Sequence, residues 1–236
     1  MSDRHLSSQF DAELSAISTR VLEMGGLVES QVARAVEALT RLDGNTADEV
    51  LHIETRVNAM EVEIDRDLSS IIARRQPTAR DLRLLIAVSK TIGNLERVGD
   101  EAARVARTAH RLLSSGAMLP GRLPLADLSF EAGLATASLR GALDAFARLD
   151  ARAALHVILA DDAIDQEFDG LMRKLITFMM EDPRTISLSI DMVFVAKAVE
   201  RVGDHAKNLA EQVIYIVEGT DVRHNPPDVV AAVVAR

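Results

Sequence analysis

The sequence predicts an all-α protein made of two tandem three-helix bundles, with six long helices related by an internal repeat. Apolar residues recur at the helical period along almost the whole chain. Only 3% of the 236 residues are aromatic, and this composition argues against a β-sandwich or β-barrel. A motif at residue 96 also recurs at residue 200, which indicates a duplicated unit.

Residues that interrupt the apolar spacing divide the first unit, 1–115, into three helices. Residues 43–45 (Asp-Gly-Asn) end the first helix. Thr46, followed by Glu49, has the spacing of a capping box and predicts the start of the second helix. Pro77 ends that helix, and Thr78 is placed to cap the third. The three predicted helices cover approximately 7–42, 46–76 and 79–115.

The second unit, 125–219, follows a stretch rich in Gly, Ser and Pro at 114–124 that we interpret as a linker. Pro183 marks the last interruption of the helical pattern. The predicted helices of this unit cover approximately 125–149, 151–181 and 185–218. The tail, 220–236, contains Asn-Pro-Pro at 225–227 and is expected to be extended or loosely packed.

Charge and composition exclude several functional classes. The net charge of −9 argues against a sequence-independent grip on nucleic acid phosphates. The chain has no Cys, so it has no disulfides, thiolate metal ligands or cysteine nucleophile. No apolar run approaches the roughly 18 residues that span a bilayer, and the N-terminus does not have the pattern of a signal peptide. We therefore expect a cytoplasmic protein.

The internal repeat is the most informative feature. The segment Glu-Arg-Val-Gly-Asp occupies 96–100 and again 200–204. Applied further upstream, the same offset of 104 aligns acidic positions of the two units. It pairs Asn58, Glu61 and Asp65 with Asp162, Asp165 and Asp169. An Arg-Leu-Asp match at a larger offset, 41–43 with 148–150, suggests that the first unit has three extra residues at that turn.

The repeated carboxylates form a candidate metal site in each unit. Glu96 and Asp100 are four residues apart, so they lie on one helix face, with Glu96 inside the packing stripe and Asp100 at its edge. Glu200 and Asp204 are placed in the same way. A carboxylate on a buried stripe requires a partner, a proton or a cation. Four or five oxygen ligands in each unit favour Mg, Mn, Fe or Zn, with the metal ligands Asn58, Glu61, Asp65, Glu96, Asp100, Asp162, Asp165, Asp169, Glu200 and Asp204.

Other residues of interest have simpler interpretations. Gly99 and Gly203 are expected to allow close approach of a neighbouring helix or ligand. Gly25 and Gly26 are a candidate kink in the first helix. We interpret His205 as a surface neighbour of the second site, with a role as a metal ligand as the alternative. The methionines are interpreted as core residues, not as a soft-metal site, at positions Met172, Met179, Met180 and Met192.

No motif of a known catalytic site is present. The sequence lacks a Gly-rich phosphate loop, a nucleophile elbow and a zinc-protease motif, and it has only one Glu-x-x-His, Glu49 with His52. We expect a protein that is not an enzyme. Two alternatives stay open: a metal-dependent phosphoester hydrolase, and a metal-free helical scaffold.

Two three-helix units, each ending in Glu-Arg-Val-Gly-Asp-(Glu/His)-Ala, resemble the PhoU family of phosphate transport regulatory proteins over roughly 10–217. The resemblance implies an all-helical cytoplasmic protein that binds divalent or trivalent metal ions through Glu/Asp-x-x-x-Asp motifs. Here those motifs are 61–65, 96–100, 165–169 and 200–204. Asn58, opposite Asp162 at the offset of 104, departs from a wholly acidic pattern, so the two sites are expected to differ.

The resemblance also implies a negative regulator of the phosphate-starvation response; for the metal-free scaffold, the alternative, it implies an accessory of a phosphate permease. Such a protein links the phosphate ABC transporter, through its ATPase subunit, to a sensor histidine kinase, and is peripheral to the membrane only through these partners. We expect Arg97 and Arg201, next to the acidic sites, to contact phosphate or partner carboxylates. A homodimer is compatible with elongated bundles, although no heptad seam marks its interface.

Overall fold

The computed structural model describes residues 8–116, 119–121 and 123–235. This part of the chain contains α-helices and one short 3₁₀ turn, Pro183–Thr185, and no strand. The helices are α1 Ser8–Arg41, α2 Gly44–Arg75, α3 Ala79–Ser114, α4 Leu125–Arg148, α5 Ala151–Glu181, α6 Ile186–Glu218 and α7 Pro227–Val234. The six predicted helices are therefore present, with ends within about two residues of their predicted positions. No helix in the described ranges is both long and apolar enough to cross a membrane.

The helices form two three-helix units, α1–α3 and α4–α6, that pack against each other. Within each unit every helix contacts the other two, and α3 packs on α6 while α1 packs on α4. The buried apolar residues form one continuous cluster across both units. The two units therefore share one core, which the contacts of α3 with α6 and of α1 with α4 make continuous.

Burial corrects the register of the repeat. Val50, Val57 and Ile64 of α2 are buried, as are the residues 107 positions later on α5, Val157, Ile164 and Leu171. The α1 and α4 burial patterns match at the same offset, whereas α3 and α6 match at 104. The three extra residues of the first unit are therefore Gln76, Pro77 and Thr78, between α2 and α3. The predicted pairings of Asn58, Glu61 and Asp65 with Asp162, Asp165 and Asp169 are wrong by three residues.

The repeated Arg-Leu-Asp turn serves as a helix cap in both units. The Asp43 carboxylate accepts hydrogen bonds from the backbone N–H groups of Asn45 and Thr46, and Asp150 does the same for α5. The preceding residues, Leu42 and Leu149, have positive φ angles of 50° and 49°. The predicted cap at Thr46 is therefore wrong: its hydroxyl donates to Asp43 Oδ2 at 2.6 Å.

Two further expectations about packing are corrected. The tail is not wholly extended, because Pro227 occupies the first turn of α7, where its missing N–H costs nothing. Val230 and Val233 of α7 are buried and join the common core. Met192 is buried as predicted, but the side chain of Met180 is 79% exposed and contributes nothing to the core.

Gly25 brings α1 close to α4. The first helix is continuous through Gly25 and Gly26. A Cβ atom on Gly25 would lie 2.4 Å from Leu143 Cδ2, whereas a Cβ on Gly26 would have nothing within 4 Å. Gly25 is thus a contact between the two units, and Gly26 is not.

This difference predicts opposite effects of two neighbouring substitutions. Gly25→Ala should lower the free energy of unfolding by about 1–3 kcal/mol, because the added methyl group overpacks a filled interface. Gly26→Ala should raise it by about 0.5–1 kcal/mol through helix propensity alone. Urea unfolding followed by circular dichroism measures both. A shift of the same sign for the two variants would show that Leu143 does not constrain this position.

Candidate metal centres

The first carboxylate cluster lies between α2 and α3 and consists of Glu54, Asn58, Glu61, Glu96 and Asp100. Glu54 is buried, with 6% of its surface exposed, whereas Glu61 and Glu96 are half-buried. Asn58 and Asp100 lie at the surface. The structure therefore brings four residues predicted for the first site together and adds Glu54 beneath them.

The carboxylates of this cluster repel one another. Burial raises the pKa of Glu96, and the charges of Asp100, Glu61 and Glu54 raise it further. The pKa of Glu61 is also raised by burial, then by Asp65 and Asp100, while Arg97 opposes the shift. Negative charges that disfavour one another in this way would be relieved by a proton or by a nearby cation.

Glu54 is held by a buried amide. The Gln31 side chain on α1 donates from Nε2 to Glu54 Oε2 at 2.7 Å, and the same nitrogen lies 3.3 Å from the Gly99 carbonyl oxygen. The other oxygen of Glu54, Oε1, has no hydrogen-bond partner in the described residues. A Cβ on Gly99 would lie 2.8 Å from Glu54 Oε2. The expectation that Gly99 permits close approach is confirmed, and what approaches is a carboxylate from α2.

The second carboxylate cluster lies between α5 and α6 and consists of Asp161, Asp162, Asp165, Glu200 and Asp204. Asp161 and Glu200 are buried. Burial, followed by the charges of Glu200 and Asp161, raises the pKa of Asp204 to about 6. In the corrected register Asp161 occupies the position of Glu54 and Asp165 that of Asn58. At Gly203 a Cβ would lie 2.7 Å from Ile164 Cδ1, so this glycine also permits close helix approach.

Two lysines distinguish the second cluster from the first. Lys207 Nζ lies 2.7 Å from Asp161 Oδ2, and Lys197 Nζ lies 2.5 Å from Glu200 Oε1. The corresponding positions of α3, 104 residues earlier, are Ala103 and Gly93. The second cluster therefore carries part of its own charge compensation, and the two sites differ as expected.

Glu131 on α4 belongs to the same region, and sequence reasoning missed it. Its side chain is fully buried, and neither carboxyl oxygen has a hydrogen-bond partner among the described residues. Burial, followed by the charges of Glu200 and Glu167, raises the pKa of Glu131 to about 8. The corresponding residue of α1 is Met24. An acid at a position that is apolar and buried in the other unit indicates a functional residue. This comparison can be made only in the correct register.

Two of the predicted ligands lie outside the clusters. Asp65 is exposed, and it acts on the first cluster only by repelling Glu61. Asp169 is exposed, and its nearest cation is Arg173, 3.9 Å away on the same helix. In the corrected register these two residues do not correspond to each other, so the predicted pairing of the 61–65 and 165–169 motifs is wrong.

The donor chemistry of both clusters fits a hard or borderline cation. Carboxylate oxygens predominate, and Glu54, Glu131 and Glu200 each keep at least one buried oxygen without a partner. In the part of the chain that is described, however, no three His, Asp or Glu side chains converge closely enough to form a metal-binding group. Binding a metal would require rotation of side chains that now repel one another.

Arg201 and His205 connect the two units. Arg201 Nη1 lies 2.8 Å from Oε1 of Glu101, a buried carboxylate on α3. The prediction that His205 is a surface neighbour is wrong. It is 8% exposed at the contact of α3 with α6, and its Nδ1 lies 3.0 Å from Asn94 Oδ1. Burial, followed by the charges of Arg97 and Arg201, lowers the pKa of His205 to about 4.

Comparisons with known proteins agree with a fold of two repeated units. The PhoU domain matches the chain twice, at 21–109 and 131–213. The phosphate-specific transport system accessory protein PhoU homolog of a Burkholderia species is 48% identical over 231 residues, covering 98% of both chains. The phosphate-specific transport system accessory protein PhoU of Escherichia coli (strain K12) is 43% identical over 223 residues, covering 94% of this chain and 90% of the relative.

Two solved structures share the fold. The crystal structure of PhoU from Pseudomonas aeruginosa has a TM-score of 0.83 and 45% identity, covering 89% of this chain and 100% of that one. The phosphate transport system regulatory protein PhoU from Streptococcus pneumoniae has a TM-score of 0.82 at 26% identity, covering 90% and 99%. With a twofold domain match, full-length relatives and a common fold, the chain belongs to the PhoU family.

Proposed function

We propose that this chain is a non-catalytic negative regulator of the phosphate-starvation response. It acts in the cytoplasm as an accessory protein of the phosphate-specific transport system, as the names of its full-length relatives indicate for those proteins. Its partners are the ATPase subunit of the transporter and a sensor histidine kinase. The observation that carries the proposal is the pair of carboxylate clusters at corresponding places in two rigid units of a chain that matches these relatives end to end.

The clusters supply the regulatory element. Glu54, Glu96 and Asp100 in the first unit, and Asp161, Glu200 and Asp204 in the second, would hold metal ions, with Glu131 adding a carboxylate to the second site. A bound cation supplies positive charge that cancels carboxylate repulsion and stiffens the contact between the helices of each cluster. Both clusters lie on long helices, not on the loops that usually carry catalytic groups, which favours a binding role over hydrolysis.

Arg97 is the residue best placed to contact a partner. It is exposed, it adjoins Glu96, and within the described residues it makes no ion pair. Arg201 occupies the equivalent position on α6, but its guanidinium is engaged by Glu101. Of the two arginines predicted to meet phosphate or partner carboxylates, Arg97 is therefore the stronger candidate.

A metal-free scaffold is the second candidate, and the second cluster favours it. Lys197 and Lys207 already compensate Glu200 and Asp161, so this cluster can be neutralised in part without a cation. The two candidates differ in one consequence: a scaffold needs the helix surface, whereas the metal-bound regulator needs the carboxylates themselves.

A phosphate-regulon reporter tests the proposal. In a strain that lacks this gene and grows in excess phosphate, expression should be high, and the wild-type gene should restore repression. The double variants Glu96→Gln/Asp100→Asn and Glu200→Gln/Asp204→Asn should leave expression near the level of the deletion strain. The matched control Asp65→Asn/Asp169→Asn removes two carboxylates outside the clusters and should restore repression.

Each other outcome has a defined meaning. Repression that persists in the deletion strain contradicts the regulatory role. Repression restored by both cluster variants leaves the regulatory role intact, contradicts the metal-bound form and supports the scaffold.

A further inference from the structure

A large polar cavity is lined by α3, α6 and the segment that joins α6 to α7. Its volume is about 990 Å³, at the upper end of the range for small-molecule sites. Residues of α3 and α6 form two of its walls, and residues 223–226 of the connecting segment form the third. It is a site made by both units and by the tail.

The cavity concentrates positive charge in an acidic protein. Five of its lining residues are cationic, namely Lys90, Arg97, Arg201, Lys207 and Arg223. Two lining residues are acidic, Asp204 and Glu211, and three of the cations pair with acids that do not line the cavity, Arg201 with Glu101, Lys207 with Asp161 and Arg223 with Asp221. Cations without a partner inside a concave surface attract anions, because the walls exclude part of the screening solvent.

Two of these cations are available to a ligand. Arg97 and Lys90 make no ion pair in the described parts of the chain, although Lys90 Nζ lies 5.6 Å from the centroid of the Tyr215 ring. Arg223 is held by Asp221, with 2.6 Å between Nη2 and Oδ2. A guanidinium has five N–H donors, so a paired arginine keeps donors for a second anion.

Contacts within the walls hold several of the lining residues in place. Asn94 Nδ2 donates to the Lys90 carbonyl oxygen at 2.8 Å, which leaves Asn94 Oδ1 as the acceptor for His205 Nδ1. On the third wall His224 has a φ of 64°, in the left-handed region. Val222, two residues earlier, is almost fully buried and anchors this segment. Preorganised walls reduce the entropy that a ligand must lose on binding.

From the unpaired cations, the size and the wall contacts of this cavity, we propose that it binds an oligophosphate anion, a chain of two or more phosphoryl groups. A single tetrahedral anion would occupy a small part of the volume and would meet only one or two of the cations. No Phe, Tyr or Trp is among the described lining residues, and the imidazole of His205 is already engaged by Asn94, so a nucleobase would find few stacking partners. Recognition therefore rests on the phosphoryl chain, whether free or carried by a nucleotide. This inference goes beyond the regulatory role and does not depend on it.

Calorimetric titration of the full-length, metal-free protein with sodium tripolyphosphate tests the proposal. Chelator treatment and metal-free buffer are required because tripolyphosphate itself binds metals. We expect saturable binding of one ligand per chain, weakened by added salt. Arg97→Gln and Arg223→Gln should each raise the dissociation constant about tenfold, the value of one strong charge-assisted contact.

Arg184→Gln is the matched control. Arg184 pairs with Asp182 two residues earlier, just as Arg223 pairs with Asp221, but it is not part of the cavity. Binding should be unchanged in this variant. Lys90→Gln replaces Arg223→Gln if thermal unfolding shows that the latter is not folded.

Titrations with two other anions determine which class of ligand the cavity binds. Inorganic phosphate should bind at least tenfold more weakly than tripolyphosphate, and ATP about equally well. ATP binding much tighter than tripolyphosphate would contradict recognition through the phosphoryl chain. Absence of saturable binding, or equal weakening by Arg184→Gln, would overturn the proposal.

Discussion

Glu131→Met should raise the free energy of unfolding of the metal-free protein at pH 7 by about 2–3 kcal/mol, or roughly 5–10 °C in Tm. Glu131 is fully buried, neither of its carboxyl oxygens has a partner among the described residues, and its pKa in the folded protein is raised to about 8. Methionine already occupies the corresponding position of α1, as Met24, so the larger side chain fits a site of this kind. Thermal unfolding in the presence of a chelator measures the change.

The pH dependence identifies the cause. As the pH rises, the unfolded chain loses the Glu131 proton near pH 4.5, whereas the folded protein keeps it up to about pH 8. Between these values the folded state binds more protons, so the stability of the wild type falls with rising pH. The advantage of Glu131→Met should grow across this window and level off above it. A constant advantage would show that packing alone is responsible. A loss of stability at pH 7 would show that the carboxylate has a partner in the folded protein.

Neutralising one acid of either carboxylate cluster should also stabilise the metal-free protein. Glu96 and Asp204 form no ion pair in the described residues, and neighbouring acids raise the pKa of both. At pH 7.5, Asp204→Asn should add about 1–2 kcal/mol, after allowance for solvent screening of a half-buried group. Glu96→Gln should act in the same direction. Urea unfolding in chelator measures these changes, and Asp169→Asn is the control for removing an exposed acid from α5.

A divalent cation should reverse the order of stability. Manganese at one hundred times its dissociation constant should stabilise the wild type by about 2.7 kcal/mol. The same addition should stabilise Glu96→Gln and Asp204→Asn less, because each has lost a ligand. Lower stability of these variants in chelator would instead mean that the carboxylates are structural and need no cation.

The helices could be predicted because their information is local. Apolar residues at the helical period, Pro77 and Pro183 locate six helices to within about two residues of their ends. The helix in the tail is not predicted by the Asn-Pro-Pro sequence, because proline interrupts a helix interior but is well tolerated in the first turn, where Pro227 lies.

The register of the repeat shows where a local pattern is insufficient. A shift of three residues rotates a helix position by about 60°, so acids aligned in either register stay on the same side of α5. Asp165 was thus found, but it was matched with Glu61 when its counterpart is Asn58. The two registers are distinguished by which residues of α2 and α5 are buried. For α2 this burial depends on the packing of α1 and α3, which the sequence of α2 alone does not specify.

Residues between the units were the hardest to predict. His205 and Glu101 are buried only because α3 packs on α6, and nothing within one unit signals that contact. Glu131 is one acid among small and apolar residues of α4, and its importance depends on Glu200 and Glu167 from the other helices of its unit. The cationic cavity requires α3, α6 and the tail together.

Metal content per chain tests the central claim most directly. The full-length protein should be saturated with manganese, zinc or iron in separate samples, desalted and subjected to elemental analysis beside the two cluster double variants and their combination. The account predicts bound metal in the wild type and in Asp65→Asn/Asp169→Asn, a partial loss in each cluster variant, and none in the combination. Equal metal in the wild type and the combined variant, or none in the wild type with any of these metals, would contradict it.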